Sequence, residues 1–182
     1  CFSPNYSLIS DHDMICISFN GRKIIMLNIV NGFPINQIMM PSEITAVAID
    51  EYNSTIIVAM KQNGIQVISN SFLSQNDCTV DEHPISFSLF NRDIVTAICV
   101  VQNRNKEVMR TVVCGTESGK VLMVYYDDKG VDIRPLNSKH TKKIEKIEID
   151  PENRNFISLD ADDIAYVWSK TKNDHFIIEF DH

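Results

Sequence analysis

Three segments of the chain repeat one apolar pattern, and this repeat constrains the fold more than any other feature. Each segment has apolar residues at offsets 0, 3 and 5, and the segments begin 51 and 49 residues apart, at Ile44 (ITAVAID), Val95 (VTAICV) and Ile144 (IEKIEID). In an extended chain, side chains two residues apart share a face. We therefore expect three strands buried on both faces, with the first apolar residue opposite the other two. The small residues Ala46 and Ala97 are expected on the face of the first apolar residue.

Two further apolar runs follow each of these segments, with a tight turn between them. The second runs are TIIVAM (55–60), RTVVCG (110–115) and FISL (156–159), and the third runs are IQVI (65–68), VLMVYY (121–126) and IAYVW (164–168). Asn63-Gly64 and Ser118-Gly119 supply the positive φ that a hairpin turn needs, whereas the third turn is Ala161-Asp162-Asp163. Fourth strands are expected at 131–135 and 176–180. Each unit is thus predicted to be a small antiparallel sheet.

A partial unit precedes these three. Residues 14–19, 23–30 and 35–40 predict three strands, and a first strand is expected near 6–10. The turns at Gly21, Gly64, Gly119 and Asp163 are 43, 55 and 44 residues apart. A period of about 40–45 residues with four short strands is typical of a β-propeller.

The repeat therefore predicts an all-β fold: residues 1–182 are a β-propeller fragment of about four blades, the first incomplete. The approximate units are 1–40, 41–91, 92–137 and 138–182, and residues 71–93 are expected to be a surface excursion. The composition of 25 Ile and 15 Val against 7 Leu agrees with a β fold.

The last unit resembles a WD-repeat blade over residues 140–169, HTKKIEKIEIDPENRNFISLDADDIAYVWS. His140 stands four residues before the first strand, Ser158 lies in the second, Asp162 in the turn, and Trp168 ends the third. The resemblance implies that these four side chains form a structural hydrogen-bond network across the blade. Two positions depart from the family pattern: Lys139 replaces the Gly before the His, and Ser169 replaces the Asp after the Trp. The other units lack the His and the Trp.

Most of the chain also resembles the degenerate propeller that follows the BEACH domain in beige and neurobeachin-like proteins. The resemblance rests on the order and spacing of ITAVAIDEYNSTIIVAM, VVCGTESGKVLMV and IEKIEIDPENRNFISLDADDIAYVW. It implies a large cytoplasmic scaffold in vesicle trafficking, membrane sorting or autophagy. Because the chain starts at Cys1, we expect it to be a piece of a longer protein, to self-associate when expressed alone, and to have its propeller completed by upstream strands.

The net charge and the cysteines bear on nucleic-acid binding and on the cellular compartment. The net charge of −7 does not favour binding to nucleic acid, and the basic run from Lys139 to Lys146 is interrupted by Glu145. Five scattered cysteines with no CxxC pair are typical of a reducing compartment. We therefore expect a cytoplasmic protein, at most peripheral to membranes.

Three patterns imitate catalytic or metal sites, and each has a simpler interpretation. In Asp11-His12-Asp13, adjacent strand side chains point to opposite faces, so they do not converge on a metal. The acidic turn Asp160, Asp162 and Asp163 lacks the Gly and the later Glu of a calcium loop. His140, Ser158 and Asp162 are the residue types of a catalytic triad, but Ser158 has no GxSxG elbow.

We therefore expect no catalytic residue, cofactor or metal, and a protein that is not an enzyme. The favoured function is a protein–protein interaction scaffold. The alternatives are a membrane-associated adaptor acting through partners or lipids, and a propeller hydrolase. Trp168 is expected to be buried and structural.

Overall fold

The computed structural model describes residues 15–28, 31–50, 55–62, 64–69, 85–87, 93–101, 109–150, 152, 155–170 and 176–181. These residues form fifteen β-strands and no helix. None of the described residues therefore belongs to a helix that could cross a membrane. The strand expected near residues 6–10, the Asp11-His12-Asp13 motif and most of the expected excursion at 71–93 lie outside the described residues.

One compact unit, Cys1–Ser88, contains two antiparallel sheets. Sheet A has three strands in the order β1 (Ile15–Asn20), β2 (Lys23–Asn28) and β3 (Pro34–Met39). Sheet B has four, in the order β4 (Ile44–Asp50), β5 (Thr55–Met60), β6 (Gly64–Ser69) and β7 (Ile85–Phe87). The short strand β7 falls in the segment that we expected to be a surface excursion. An apolar core joins sheets A and B, and its buried members are Ile24, Met26, Ile38, Met40, Ile44, Val47, Ile49, Ile56, Val58, Met60 and Ile68.

The second compact unit, Leu89–His182, also contains two antiparallel sheets, each with four described strands. Sheet C consists of β8 (Val95–Val101), β9 (Arg110–Thr116), β10 (Val121–Asp127) and β11 (Gly130–Pro135). Sheet D consists of β12 (Ile144–Ile149), β13 (Asn155–Asp160), β14 (Ala165–Lys170) and β15 (Phe176–Asp181). In both sheets each strand pairs with its neighbour in sequence. The prediction of an all-β chain of small antiparallel sheets is therefore confirmed.

The prediction about the faces of the first strands β4, β8 and β12 is wrong, and a β-bulge is the reason. In β4, Ile44 pairs with Met60, the register then shifts by one residue, and Val47 pairs with Val58. Because Met60 and Val58 are two residues apart, Ile44 and Val47 share a face.

The other two first strands contain the same bulge at the same offset. The bulge inserts one extra residue into the strand, so the alternation of side chains between the two faces shifts by one position after the first apolar residue. All three apolar residues of each motif therefore lie on one face, and Ala46 and Ala97 lie on the opposite face.

Strand β12 also differs from the prediction in its burial. Ile144 and Ile147 are buried, but Glu145, Lys146 and Glu148 are exposed. Lys146 Nζ and Glu148 Oε1 form an ion pair of 2.5 Å on that outer face. The interpretation of β12 as a strand buried on both faces is wrong, because charged side chains occupy its second face.

Sheets C and D pack through Ile144. A Cβ atom added at Gly115 on β9 would overlap the Cβ and Cγ2 atoms of Ile144, so this close approach requires a glycine. Thr96, the extra residue of the β8 bulge, donates its hydroxyl to the carbonyl of Ile144 at 2.5 Å. Ala97, Val113, Met123, Phe156 and Trp168 belong to the same buried core.

Candidate functional site

The loop between β11 and β12 places His140 against the end of sheet D. The backbone amide of His140 donates to Ser138 Oγ at 3.2 Å, and Ser138 Oγ donates to the carbonyl of Gly119 at 3.1 Å. Gly119 has φ +84°, and a Cβ there would lie 2.8 Å from the carbonyl oxygen of Lys142. The β9–β10 turn of sheet C therefore holds the loop that carries His140.

His140 bonds to strand β13 of sheet D through both of its ring nitrogens. Its Nδ1 lies 2.8 Å from Asp160 Oδ2, and its Nε2 lies 2.7 Å from Ser158 Oγ. Trp168 Nε1 donates to the same Ser158 Oγ at 2.8 Å. We call these four residues (Trp168, Ser158, His140 and Asp160) the sheet D network. Ser158 and Trp168 have no exposed surface, and Asp160 is 1% exposed.

One proton arrangement satisfies every member of the sheet D network. An ionised carboxylate only accepts hydrogen bonds, so His140 Nδ1–H donates to Asp160. In the neutral imidazole, Nε2 then accepts, and the hydroxyl of Ser158 donates to it. The same hydroxyl oxygen accepts the indole N–H of Trp168. This assignment follows from the heavy-atom geometry and leaves no buried donor unpaired.

The carboxylate of the network comes from Asp160, and the prediction of Asp162 is corrected here. Asp162 is exposed in the turn, and its contribution is a backbone amide that donates to Asp160 Oδ1 at 3.0 Å. Ser158 and Asp160 are two residues apart on β13, so they share a face. The alternation of the strand was thus the sequence signal that identifies Asp160.

Asp160 also shapes the β13–β14 turn. Its Oδ1 accepts the backbone amides of Asp162 and Ile164, at 3.0 and 3.1 Å. Burial by itself would raise the pKa of Asp160, but the hydrogen bonds from His140, Ile164 and Asp162 outweigh it and lower that pKa below its ordinary value. Asp160 is therefore a carboxylate held ionised by its donors.

The aromatic rings around the network are packed on one another. The rings of Trp168 and Phe156 stack with their centroids 5.4 Å apart and their planes at 8°. The ring of Tyr166 meets that of His140 edge to face, with centroids 4.4 Å apart. The expectation that Trp168 is buried and bonded within its sheet is confirmed.

The connectivity of Ser158, His140 and Asp160 matches that of a catalytic triad, but its surroundings do not suit catalysis. A nucleophilic serine must be reached by substrate and needs donors aimed at the oxyanion. Ser158 Oγ is buried between strands and already holds the indole N–H of Trp168. The hydrogen bonds of this serine are used within the protein.

In the other four-stranded sheets the positions of the network hold apolar residues, except for Thr116 of sheet C. By ladder register, Met60, Val58 and Ile68 of sheet B correspond to Asp160, Ser158 and Trp168. In sheet C the corresponding residues are Thr116, Cys114 and Val124. The network is thus a feature of sheet D among the four-stranded sheets.

Sheet C has a different link between its leading residues and its turn. The carboxylate of Asp93, just before β8, accepts a hydrogen bond from Ser118 Oγ in the β9–β10 turn and lies 3.5 Å from Lys120 Nζ. Burial opposes ionisation, but hydrogen bonds from Ser118 and Thr116 and the charge of Lys120 together lower the pKa of Asp93. The link between Asp93 and Ser118 could not be predicted from the sequence, because two separated polar residues give no periodic signal.

Within the described part of the chain, no group of three His, Cys, Asp or Glu side chains is placed to hold a metal ion. The acidic turn that imitates a calcium loop lies within this part. Its Asp160 oxygens are occupied by backbone amides and by His140, while Asp162 and Asp163 are exposed.

Comparison with known proteins gives no family assignment. No protein-family model matches the chain, and no curated protein matches it either.

Proposed function

We propose that this chain is part of a WD-repeat-like β-propeller that acts as a non-catalytic scaffold for other proteins. The observation that carries the proposal is the sheet D network, whose His140, Ser158 and Trp168 were expected from the WD-repeat pattern. The resemblance to the propeller of BEACH-domain proteins supports a cytoplasmic role in vesicle trafficking, membrane sorting or autophagy.

The repetition of the sheets also supports a propeller. Sheets B, C and D each contain four strands in sequence order, and each first strand has a bulge at the same offset. Successive four-stranded sheets of this kind are the building units of propellers. Such folds present loops on a rigid frame, which suits protein binding.

The scaffold interpretation is favoured over an enzyme by the use of the polar groups. Every side chain of the sheet D network is bonded to another, and its serine has no exposed surface. The net charge of −7 favours protein partners over direct binding to acidic lipids or nucleic acid.

The surface best suited to a partner is one end of sheets C and D. There the β9–β10 turn, the β11–β12 loop and the β13–β14 turn are tied together by Ser138 Oγ to the carbonyl of Gly119 (3.1 Å) and by the Ala161 amide to the carbonyl of Lys143 (2.9 Å). We call this the turn surface; its exposed charged residues are Glu117, Lys120, Lys139, Lys142, Lys143, Asp162 and Asp163. Turns fixed in this way lose little entropy when a partner binds.

The experiment is a pull-down from cytosol with the immobilised chain and two charge-reversal variants. Lys142→Glu changes the turn surface. The matched control, Lys129→Glu, makes the same charge change in the turn of the β10–β11 hairpin, which lies at the opposite end of sheet C. We expect the first variant to lose specific protein partners and the control to keep them.

A parallel flotation with acidic liposomes tests the membrane alternative. Binding to protein-free liposomes together with no specific protein partner would contradict the scaffold function. Equal loss of partners in both variants would contradict the placement on the turn surface.

A further inference from the structure

Two Asn-Gly pairs of sheet A are both exposed, but they differ in what surrounds them. Asn20-Gly21 lies at the β1–β2 turn, and Asn31-Gly32 lies between β2 and β3. In an Asn-Gly pair the backbone nitrogen of the glycine can attack the side-chain carbonyl carbon of the asparagine, because no Cβ shields that nitrogen. Each pair is therefore chemically reactive, and its surroundings decide how fast it reacts.

We propose that Asn31 is a site of spontaneous conversion to aspartate and isoaspartate in the folded chain, and that the fold protects Asn20. The Gly32 nitrogen forms a bond to Asn31 Cγ and loses its proton, and the carboxamide nitrogen leaves as ammonia, which gives a five-membered imide. Water then opens this imide at one of its two carbonyl carbons. Opening at Cγ gives aspartate. Opening at the backbone carbonyl carbon gives isoaspartate, whose main chain continues through Cβ and Cγ.

The turn at Asn31 supplies a hydrogen-bond donor to the carbonyl that is attacked. The backbone amide of Phe33 donates to Asn31 Oδ1 at 2.9 Å. Attack on Cγ moves negative charge onto Oδ1, so a donor already bonded to this oxygen stabilises the intermediate. The ring that this hydrogen bond closes contains the Gly32 nitrogen. The nucleophile, the carbonyl and the donor are thus held together in one turn.

The surroundings of Gly32 leave room for the imide. Its φ is +72°, and no atom beyond its chain neighbours lies within 4 Å of the position that a Cβ would take. Asn31 and Gly32 are exposed and lie outside the β2–β3 ladder, in which Leu27 pairs with Pro34. Imide formation therefore leaves that ladder intact.

The surroundings of Asn20 oppose the same reaction. Asn20 is the last residue of β1 and belongs to the β1–β2 ladder. Imide formation brings Cβ and the nitrogen of the next residue to the same side of the Cα–C bond, which a strand residue with ψ of about +135° does not do. Two hydrogen bonds oppose the rotation: the carbonyl of Gly21 accepts the amide of Ile44 at 2.7 Å, and that of Arg22 accepts the amide of Met40 at 2.8 Å.

The reaction at Asn31 changes the exposed end of sheet A. Both products replace a neutral carboxamide with a carboxylate, two residues before Phe33, which is 70% exposed. Isoaspartate also adds one methylene group to the main chain of the turn that leads to β3. The proposal concerns this turn alone and goes beyond the scaffold function.

The test follows both asparagines in the 182-residue chain during incubation at neutral pH, with and without guanidinium chloride. Tryptic peptides separate the two pairs, because Asn20 lies in the peptide that ends at Arg22 and Asn31 in the peptide 24–61. Tandem mass spectrometry locates the replacement of the side-chain NH2 by OH, and electron-transfer fragmentation distinguishes isoaspartate from aspartate. We expect Asn31 to react at least tenfold faster than Asn20 in the folded chain. Unfolding should speed the reaction of Asn20 at least tenfold and change that of Asn31 less than threefold.

Asn31→Gln is the matched control, because its carboxamide closes a six-membered ring far more slowly, and we expect the product in peptide 24–61 to disappear. A product that persists in this variant would belong to another residue of the peptide and would overturn the assignment. Equal rates at the two asparagines in the folded chain, or a rate difference that survives in guanidinium chloride, would also overturn the proposal. No partner protein enters the measurement, so its result is independent of the pull-down that tests the scaffold function.

Discussion

Trp168 Nε1 lies 2.8 Å from Ser158 Oγ, and this hydrogen bond joins the third strand of sheet D to the second. The indole ring has no exposed surface and stacks on Phe156. Trp168→Ala removes a large buried ring, and we expect a loss of about 3–5 kcal/mol in the free energy of unfolding. Urea denaturation followed by circular dichroism measures it. Loss of partner binding with unchanged stability would instead make Trp168 a contact residue.

Ser158→Ala should cost about 2–4 kcal/mol, because it leaves the indole N–H and His140 Nε2 buried without a partner. Ser169→Ala is the matched control. The Ser169 hydroxyl makes an exposed 2.8 Å hydrogen bond to Asn155 Oδ1, and we expect a change within about 0.5 kcal/mol. Chemical denaturation of both variants tests the difference, and equal effects would contradict the role given to the network.

Asp160→Asn and Asp162→Asn should show which of the two acidic residues of the turn contributes pH-dependent stability. The folded pKa of Asp160 is lowered, so its ionised form adds stability above its ordinary pKa of about 3.9. That stability is lost as pH falls through the folded pKa. The gap in unfolding free energy between the original chain and Asp160→Asn should thus be full near pH 6 and shrink below about pH 4. The stability of Asp162→Asn should equal that of the original chain across this range. Thermal melts from pH 3 to 7 measure both variants, and a larger loss in Asp162→Asn than in Asp160→Asn would contradict the assignment.

Gly115→Ala should destabilise the chain by about 1–3 kcal/mol, since the added methyl group overlaps Ile144. Ile144→Ala removes Cγ2, the nearest of the overlapping atoms, and leaves a cavity. The double variant should therefore be more stable than the sum of the two single effects implies, by about 1 kcal/mol or more in a double-mutant cycle. Strict additivity would show that the two positions do not touch.

Two turn positions with positive φ should respond in opposite directions. Asp163 has φ +62°, a region that glycine enters without steric cost, so Asp163→Gly should stabilise the chain or leave its stability unchanged, with a gain of up to about 1 kcal/mol. Gly119→Ala should destabilise it, because φ there is +84° and the new Cβ would lie 2.8 Å from the Lys142 carbonyl oxygen. Differential scanning calorimetry compares the two, and a stabilised Gly119→Ala variant would rule out this turn geometry.

The strands could be predicted from the sequence because their apolar runs are separated by turn residues. The expected run 55–60 coincides with β5 (Thr55–Met60), and the fourth strand expected at 131–135 is β11 (Gly130–Pro135). The faces of the first strands could not be predicted, since simple alternation fails where a bulge inserts one residue. Nothing in ITAVAID marks Thr45 as that extra residue; the ladder partners on β5 reveal it.

In the candidate site, too, one part of the arrangement could be predicted from the sequence and another part could not. The spacing of His140, Ser158 and Trp168 in one unit was enough to bring them together as a prediction. The choice of carboxylate failed because Asp162 occupies the expected place in the turn, whereas the face of β13 selects Asp160. Charge and sequence distance alone do not distinguish two aspartates two residues apart. The face of β13 on which each side chain lies does distinguish them.

The sequence order of the strands within every described sheet affects how the chain can fold. Each ladder is closed by a connection of at most about fifteen residues, such as that between β6 and β7. The entropy lost on closing a loop grows only with the logarithm of its length, so little entropy is lost when each ladder forms. Contacts such as Thr96 to Ile144, which span 48 residues, join one completed sheet to the next. Low contact order within sheets and higher contact order between them favour folding in which ladders form early and stacking is the slower step.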